Sequence, residues 1–161
     1  NHNYLQDLVE KFNIPFTCIS AEGLNREEHE DKMIAKINEY EPELIVLAKY
    51  MRILTSKFVE TFPKKVLNIH HSFLPAFIGA NPYKQAHERG VKIIGATAHY
   101  VTNDLDEGPI VFQDVVRVDH SYSWEDMRNA GRNVEKIVLS NAFELLLNDR
   151  VFVHGNKTVI L

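Results

Sequence analysis

The sequence predicts an α/β domain, a parallel sheet with helices on both faces and antiparallel strands added at its C-terminal end. Three observations predict it. Strand-length apolar runs alternate with helix-period segments through the first half of the chain. The run Leu44-Ile45-Val46-Leu47-Ala48 is unbroken rather than alternating, as in a strand covered on both faces. The later strands are joined by turn residues instead of helical crossovers. At 161 residues the chain has the size of one domain, able to bury roughly 70% of the surface its unfolded form exposes.

Each element has a local reason. Tyr4 to Phe12 carries Leu5, Leu8, Val9 and Phe12 at helical spacing. Asn13 and Pro15 end it, and Phe16 to Ile19 is predicted to be a short strand. Asn25 with Glu28 forms a capping-box pattern, followed by Met33, Ile34, Ile37 and Tyr40 on one face, up to Pro42. After the apolar run from Leu44, Thr55 or Ser56 caps a short helix through Phe62. Val66 to His70 reads as a strand, leading into a long loop with Pro75, Gly79 and Pro82. A proline suits a helical first turn, so a helix runs from Pro82 to about Arg89.

Ile93 to Thr102 and Ile110 to Asp119 are predicted strands flanking the turn Asn103-Asp104-Leu105-Asp106-Glu107-Gly108-Pro109. Ser123 with Asp126 caps the longest helix, to about Leu147, whose predicted core stripe is Met127, Val134, Ile137, Val138, Asn141 and Leu145. Gly155-Asn156 between two β-rich runs predicts a terminal hairpin. The chain opens Asn1-His2-Asn3 without a methionine and enters a helix at once, which predicts a start partway through a larger protein.

Composition narrows the function. Eighteen Lys and Arg against 22 Asp and Glu give a net charge of −4, which offers no basic footprint for nucleic acid or an anionic membrane. A single cysteine, Cys18, rules out a disulfide framework and reads as a small core residue of its strand. No GxSxG elbow, Walker loop or GxGxxG is present, so an acyl-serine hydrolase or a nucleotide enzyme has no support. Trp124 reads as a core anchor and Arg52 as a solvated side chain, with anion binding its alternative.

Eight histidines (His2, His29, His70, His71, His87, His99, His120 and His154) raise an acid–base question. In an open parallel sheet, ligands bind beyond the carboxyl ends of the strands. Two segments place polar residues at such ends, Asn68-Ile69-His70-His71 and the stretch from His99 through Asp106. A strand repeats every two residues, so Asn68 and His70 share a face and can address one carbonyl oxygen. The alternative is structural: the pair ties down the loop that follows, and Asp104 and Asp106 bond their own backbone as turn residues. A metal pair of His70 and His71 is disfavoured, since strand neighbours point to opposite faces.

Three segments together resemble the formyltetrahydrofolate-utilising transferase and hydrolase family: Leu47 to Leu54, Asn68-Ile69-His70-His71-Ser72-Phe73-Leu74-Pro75, and His99 through Asp106-Glu107-Gly108-Pro109. Within it the hydrolase branch is the better match. His71 stands where the glycinamide ribonucleotide formyltransferases usually carry proline, and Phe73 to Ala80 and Val151 to Leu161 also resemble the hydrolases.

The resemblance implies a Rossmann-like fold whose first strand, helix and second strand precede Asn1, with an ACT-type regulatory domain before them, so that residues 1–161 form a formyltransferase-like catalytic domain. It implies hydrolysis of 10-formyltetrahydrofolate to formate and tetrahydrofolate, supplying formate for purine biosynthesis and one-carbon balance. Two alternatives stand beside it: formyl transfer to glycinamide ribonucleotide, and a folate-binding or regulatory subunit without turnover. The implied catalytic residues are Asn68, His70 and Asp106. The implied substrate contacts are Met51, Arg52, Ile53, Leu54, His99, Thr102, Asn103 and Leu105, largely through main-chain groups. No metal and no cofactor is expected. The partners are a folate and water, with no nucleic acid or membrane. Self-association through an exposed sheet edge and a cytoplasmic location complete the expectations.

Overall fold

A computed structural model describes residues 5–77 and 81–161. Tyr4, at the start of the first predicted helix, and Gly79 in the long loop lie outside them, as do His2 and the 78–80 part of the hydrolase-like stretch. The elements run α1 (Gln6–Glu10), α2 (Arg26–Asn38), β1 (Ile45–Leu47), α3 (Ser56–Thr61), β2 (Val66–His70), α4 (Pro82–Arg89), β3 (Ile93–Tyr100), β4 (Ile110–Arg117), α5 (Trp124–Leu147), β5 (Val151–His154) and β6 (Lys157–Ile160).

The sheet has four strands in the order β1-β2-β3-β4, and β5 and β6 form a separate hairpin. β1 and β2 are parallel, whereas β2–β3 and β3–β4 are antiparallel. The α/β class therefore holds with a mixed sheet that leads with its parallel pair. The helices cover both faces. Leu67 of β2 and Ala96, Ala98 and Tyr100 of β3 pack with Val134, Val138 and Ala142 of α5. Val66, one residue away and on the other face, packs with Leu47 and with Phe58 and Phe62 at α3, backed by Met33, Ile34 and Ile37 of α2.

Both capping boxes form. Asn25 Oδ1 accepts from Glu28 N at 2.9 Å, and Asn25 N donates to Glu28 Oε2 at 2.9 Å. Ser123 and Asp126 exchange the same reciprocal bonds at 3.1 Å each. On α5 the buried stripe is Met127, Gly131, Val134, Val138 and Ala142. Ile137, predicted inside, is 50% exposed, because the small residues Gly131 and Ala142 carry the seam instead.

Four further expectations are corrected. Residues 16–19 form no strand, since a strand needs a ladder partner and among the described residues this segment has none. Cys18 there is exposed. Val46 is 37% exposed, so among the described residues only one face of β1 is covered. Trp124 is also partly exposed, with the Arg128 guanidinium 4.9 Å from its ring centroid, a cation–π contact and not a core anchor.

Candidate active site

The site begins with the two-residue period of β2. Val66, Asn68 and His70 share the face opposite the α5 core. β3 pairs antiparallel beside it, setting His99 against Asn68 and Thr97 against His70. Gln113 of β4 pairs with Thr97 in turn. One sheet face thus carries Asn68, His70, Thr97, His99 and Gln113 within an otherwise apolar β core.

Asp106 arrives from the 101–109 turn. Because β3 is antiparallel to β2, this turn starts level with the N-terminal end of β2, where Val101 N donates to Val66 O at 2.8 Å. The turn must fold back over the sheet to reach His70, so the site sits on the sheet face and not simply beyond its edge. Gly108 permits the fold-back. A Cβ there would lie 1.8 Å from Tyr100 O, and Tyr100 N donates to Pro109 O at 2.9 Å. Asp106 itself takes a left-handed conformation (φ 57°).

The result is a carboxylate between two imidazoles. His70 Nδ1 lies 3.3 Å from Asp106 Oδ2, and His99 Nε2 lies 3.6 Å from Asp106 Oδ1. The side chains are 7%, 10% and 2% exposed for His70, Asp106 and His99. Contacts with His70 first, and His99 second, hold the Asp106 carboxyl well below the usual carboxylate range against the opposing cost of burial. His70 Nε2 is buried and has no hydrogen-bond partner among the described residues.

His99 is held by its neighbours. Its Nδ1 faces Tyr100 O at 2.9 Å, a carbonyl that only accepts, so Nδ1 carries a proton. Its Nε2 faces both Asp106 Oδ1 and, at 3.3 Å, Asn68 Nδ2, so His99 stands between the side chains of Asn68 and Asp106.

Neighbouring loops are pinned to the same face. Thr97 Oγ1 donates to Ser72 O at 2.9 Å and accepts from Leu74 N at 3.1 Å and Gln113 Nε2 at 2.8 Å, anchoring the segment that follows His70. Residues 51–54 leave the C-terminal end of β1 and are tied down by α2. Arg26 Nη1 donates to Ile53 O at 3.4 Å, and the buried Glu30 accepts from Thr55 N at 3.0 Å and Thr55 Oγ1 at 2.5 Å. Arg52 is exposed yet donates to His29 Nδ1 at 3.4 Å, which leaves the His29 Nε2 proton for Ile19 O at 3.1 Å. Met51, Ile53 and Leu105 are 74%, 54% and 52% exposed, Leu54 is half-buried against the α2–α3 core, and Asn103 is exposed. Thr102 Oγ1 donates to Asp104 O at 3.1 Å within its own turn.

Sequence reasoning missed Glu30, Thr97 and Gln113. Thr97 and Gln113 carried a faint signal as polar residues inside β runs, Thr97 two places before His99; Glu30 carried none beyond its helix. The opposite-face expectation for His70 and His71 is also corrected. β2 ends at His70, so His71 turns back and its ring stacks on His70. Among the described residues no three or more His, Cys, Asp or Glu side chains gather as a metal cage.

Fold and site together define a mixed-sheet α/β domain whose polar centre offers hydrogen-bond donors and a carboxylate, with no serine or cysteine nucleophile among the described residues that form it. The sequence profile of the formyl transferase family matches residues 2–143, and the chain belongs to that family. It is 64% identical over 161 residues to the formyltetrahydrofolate deformylase of Escherichia coli (strain K12), spanning all of this chain and 58% of that protein. The crystal structure of a formyltetrahydrofolate deformylase from Pseudomonas syringae pv. tomato superposes with a TM-score of 0.95 at 46% identity, over 100% of this chain and 54% of that one. A glycinamide ribonucleotide transformylase from Symbiobacterium toebii is more distant, at 36% identity and a TM-score of 0.81 over 85% of this chain and 65% of that one. The chain thus spans somewhat more than half the length of the deformylases it matches. Among the described residues no helix is long and apolar enough to cross a membrane.

Proposed function

We propose that the protein hydrolyses 10-formyltetrahydrofolate to formate and tetrahydrofolate. The observation that carries this reading is the buried Nε2 of His70, without a partner among the described residues while Nδ1 faces Asp106, with the side-chain amide of Asn68 on the same sheet face. Two donors on one face suit a formyl oxygen that gains negative charge, each worth about 3–4 kcal/mol in the transition state by analogy with an oxyanion-hole donor. Water forms a C–O bond to the formyl carbon, the oxygen takes the electron pair, and the pair collapses back as the C–N bond breaks. The proton that water loses passes through the imidazole–carboxylate pair to the departing nitrogen, so the step balances without a metal or cofactor.

Asp106 is held too far below the usual carboxylate range to be a strong base at neutral pH. Its main role is to hold the His70 ring by Nδ1, with Nε2 turned away from the carboxylate toward the substrate. The exposed residues 51–54 and the 102–106 turn border this face and suit a flat pteridine held through main-chain groups. Among the solved structures, similarity to a deformylase at 46% identity, against 36% for a transformylase, favours water over an amine as acceptor. A cytoplasmic homo-oligomer belongs to the same reading.

The test is formate release by the intact protein from 10-formyltetrahydrofolate with no amine acceptor present. We expect release, and we expect Asp106→Asn to lose turnover by about 10³-fold or more while keeping most folate binding. Formate that appears only with glycinamide ribonucleotide present would identify a transferase. Binding with neither activity would identify a folate-binding subunit.

A further inference from the structure

The ring of His70 is held at one end by Asp106, which leaves its rotation about that contact to be set by something else. His71 supplies a face. Its ring stacks near-parallel to that of His70, with centroids 5.4 Å apart and planes inclined by 25°. On its other side stands Tyr83 of α4, 6.1 Å away and tilted by 39°. Both spacings lie within the range in which aromatic rings attract.

Tyr83 is fixed in turn. Its hydroxyl donates to Glu135 Oε1 of α5 at 2.6 Å. Burial, and then this bond, raise its ionisation far above the ordinary phenol range, so it stays a donor. The ring fits into α5 only because residue 131 is glycine, since a Cβ there would come within 2.2 Å of the hydroxyl and 2.3 Å of the ring. Gly131, Tyr83, His71 and His70 form one column from the long helix to the site, with Asp106 at its far end.

The geometry points to His71 as a positioning residue: backed by Tyr83, it sets the ring plane of His70 and thereby aims Nε2 at the substrate. This rests on the hydrolytic reading above for its consequence, though the stack itself does not. The charge balance agrees with it. Burial first, and His70 second, lower the proton affinity of His71, against the opposing pull of Glu135 and Asp106. A neutral ring beneath His70 accommodates a cation there, where a second cation would repel it.

The test compares His71→Phe, which keeps a ring, with His71→Ala and His71→Gln, which do not; glutamine also retains bulk and polarity should alanine fail to fold. In the intact protein labelled with 13C-histidine, the ring resonances of His70 are expected to stay near their original positions in His71→Phe. They should move downfield in the two ringless variants as the ring current is lost. With 10-formyltetrahydrofolate, kcat should fall about 10-fold to 100-fold in the ringless variants with KM within about twofold, and stay within about threefold in His71→Phe. Unchanged His70 resonances in the ringless variants would overturn the inference, as would an equal loss of kcat in all three. A wild-type protein that releases no formate but shows the expected resonance shifts would refute the hydrolytic reading and leave the stack standing.

Discussion

At the scale of single residues, the site is a matter of which atoms carry protons. Asp106 and His71 both resist protonation in the folded chain, each for a stated reason. Contacts with His70 and His99 depress Asp106, and burial with the neighbouring His70 depresses His71. A group whose folded proton affinity is lowered binds more protons when unfolded, so acid favours unfolding in both cases. Stability is therefore expected to fall on acidification in two stages. The first begins near pH 6.5, where an ordinary imidazole takes up its proton, because burial and His70 on β2 make His71 resist doing so beside Tyr83 on α4, against the opposing pull of Glu135 and Asp106. The second begins near pH 4, where an ordinary carboxyl protonates and Asp106 does not. Urea midpoints measured across this range should lose most of the first stage in His71→Phe and most of the second in Asp106→Asn. A midpoint that rises on acidification would contradict the sign of both.

At the scale of elements, close contacts overrule propensity. Glycine inside a helix normally costs about 0.5–1 kcal/mol relative to alanine, so Gly131→Ala in α5 would be expected to stabilise. Here the added Cβ would meet the Tyr83 ring, which is pinned between α4 and α5 by its bond to Glu135. Overpacking of this kind costs about 1–3 kcal/mol, which exceeds the propensity gain. Gly131→Ala should therefore lower the denaturation midpoint, and a midpoint at or above the wild-type value would show that Tyr83 moves aside freely. The same contrast explains what could be read beforehand. The capping boxes at Asn25 and Ser123, the β2 limits and the Gly155-Asn156 hairpin were legible because each is decided by neighbours within a few residues. The strand expected at 16–19 and the place of Ile137 were not, because ladder partners and helix seams are chosen by distant chain. The α5 seam in particular runs through glycine and alanine, which apolar periodicity underweights.

At the scale of the whole molecule, three segments distant in sequence meet on one sheet face: the end of β2, the turn after β3 and, beside them, the loop after β1. That Asn68 and His70 share a face was legible from strand periodicity alone. That Asp106 would reach them came only with the resemblance, because the route depends on β3 running antiparallel and on the turn folding back where Gly108 lets it pass Tyr100. The pinning of residues 51–55 by Arg26 and Glu30 was not legible at all. A ligand bridging the two exposed loops would tie these separate pieces together, so its binding should register in global stability. A bound species that the unfolded chain does not recognise adds about 2.7 kcal/mol at a hundred times its dissociation constant, or about 5–10 °C in the melting temperature of a domain this size. A non-hydrolysable folate analogue should therefore raise the melting temperature of the intact protein by several degrees, less than this range where its length exceeds that of the domain. Asp106→Asn should show nearly the same increment, because binding through main-chain groups at 51–54 and 102–105 does not require the carboxylate. Should a saturating folate leave the melting temperature unchanged in both proteins, the two loops do not line the site, and the donors of Asn68 and His70 serve some other carbonyl compound.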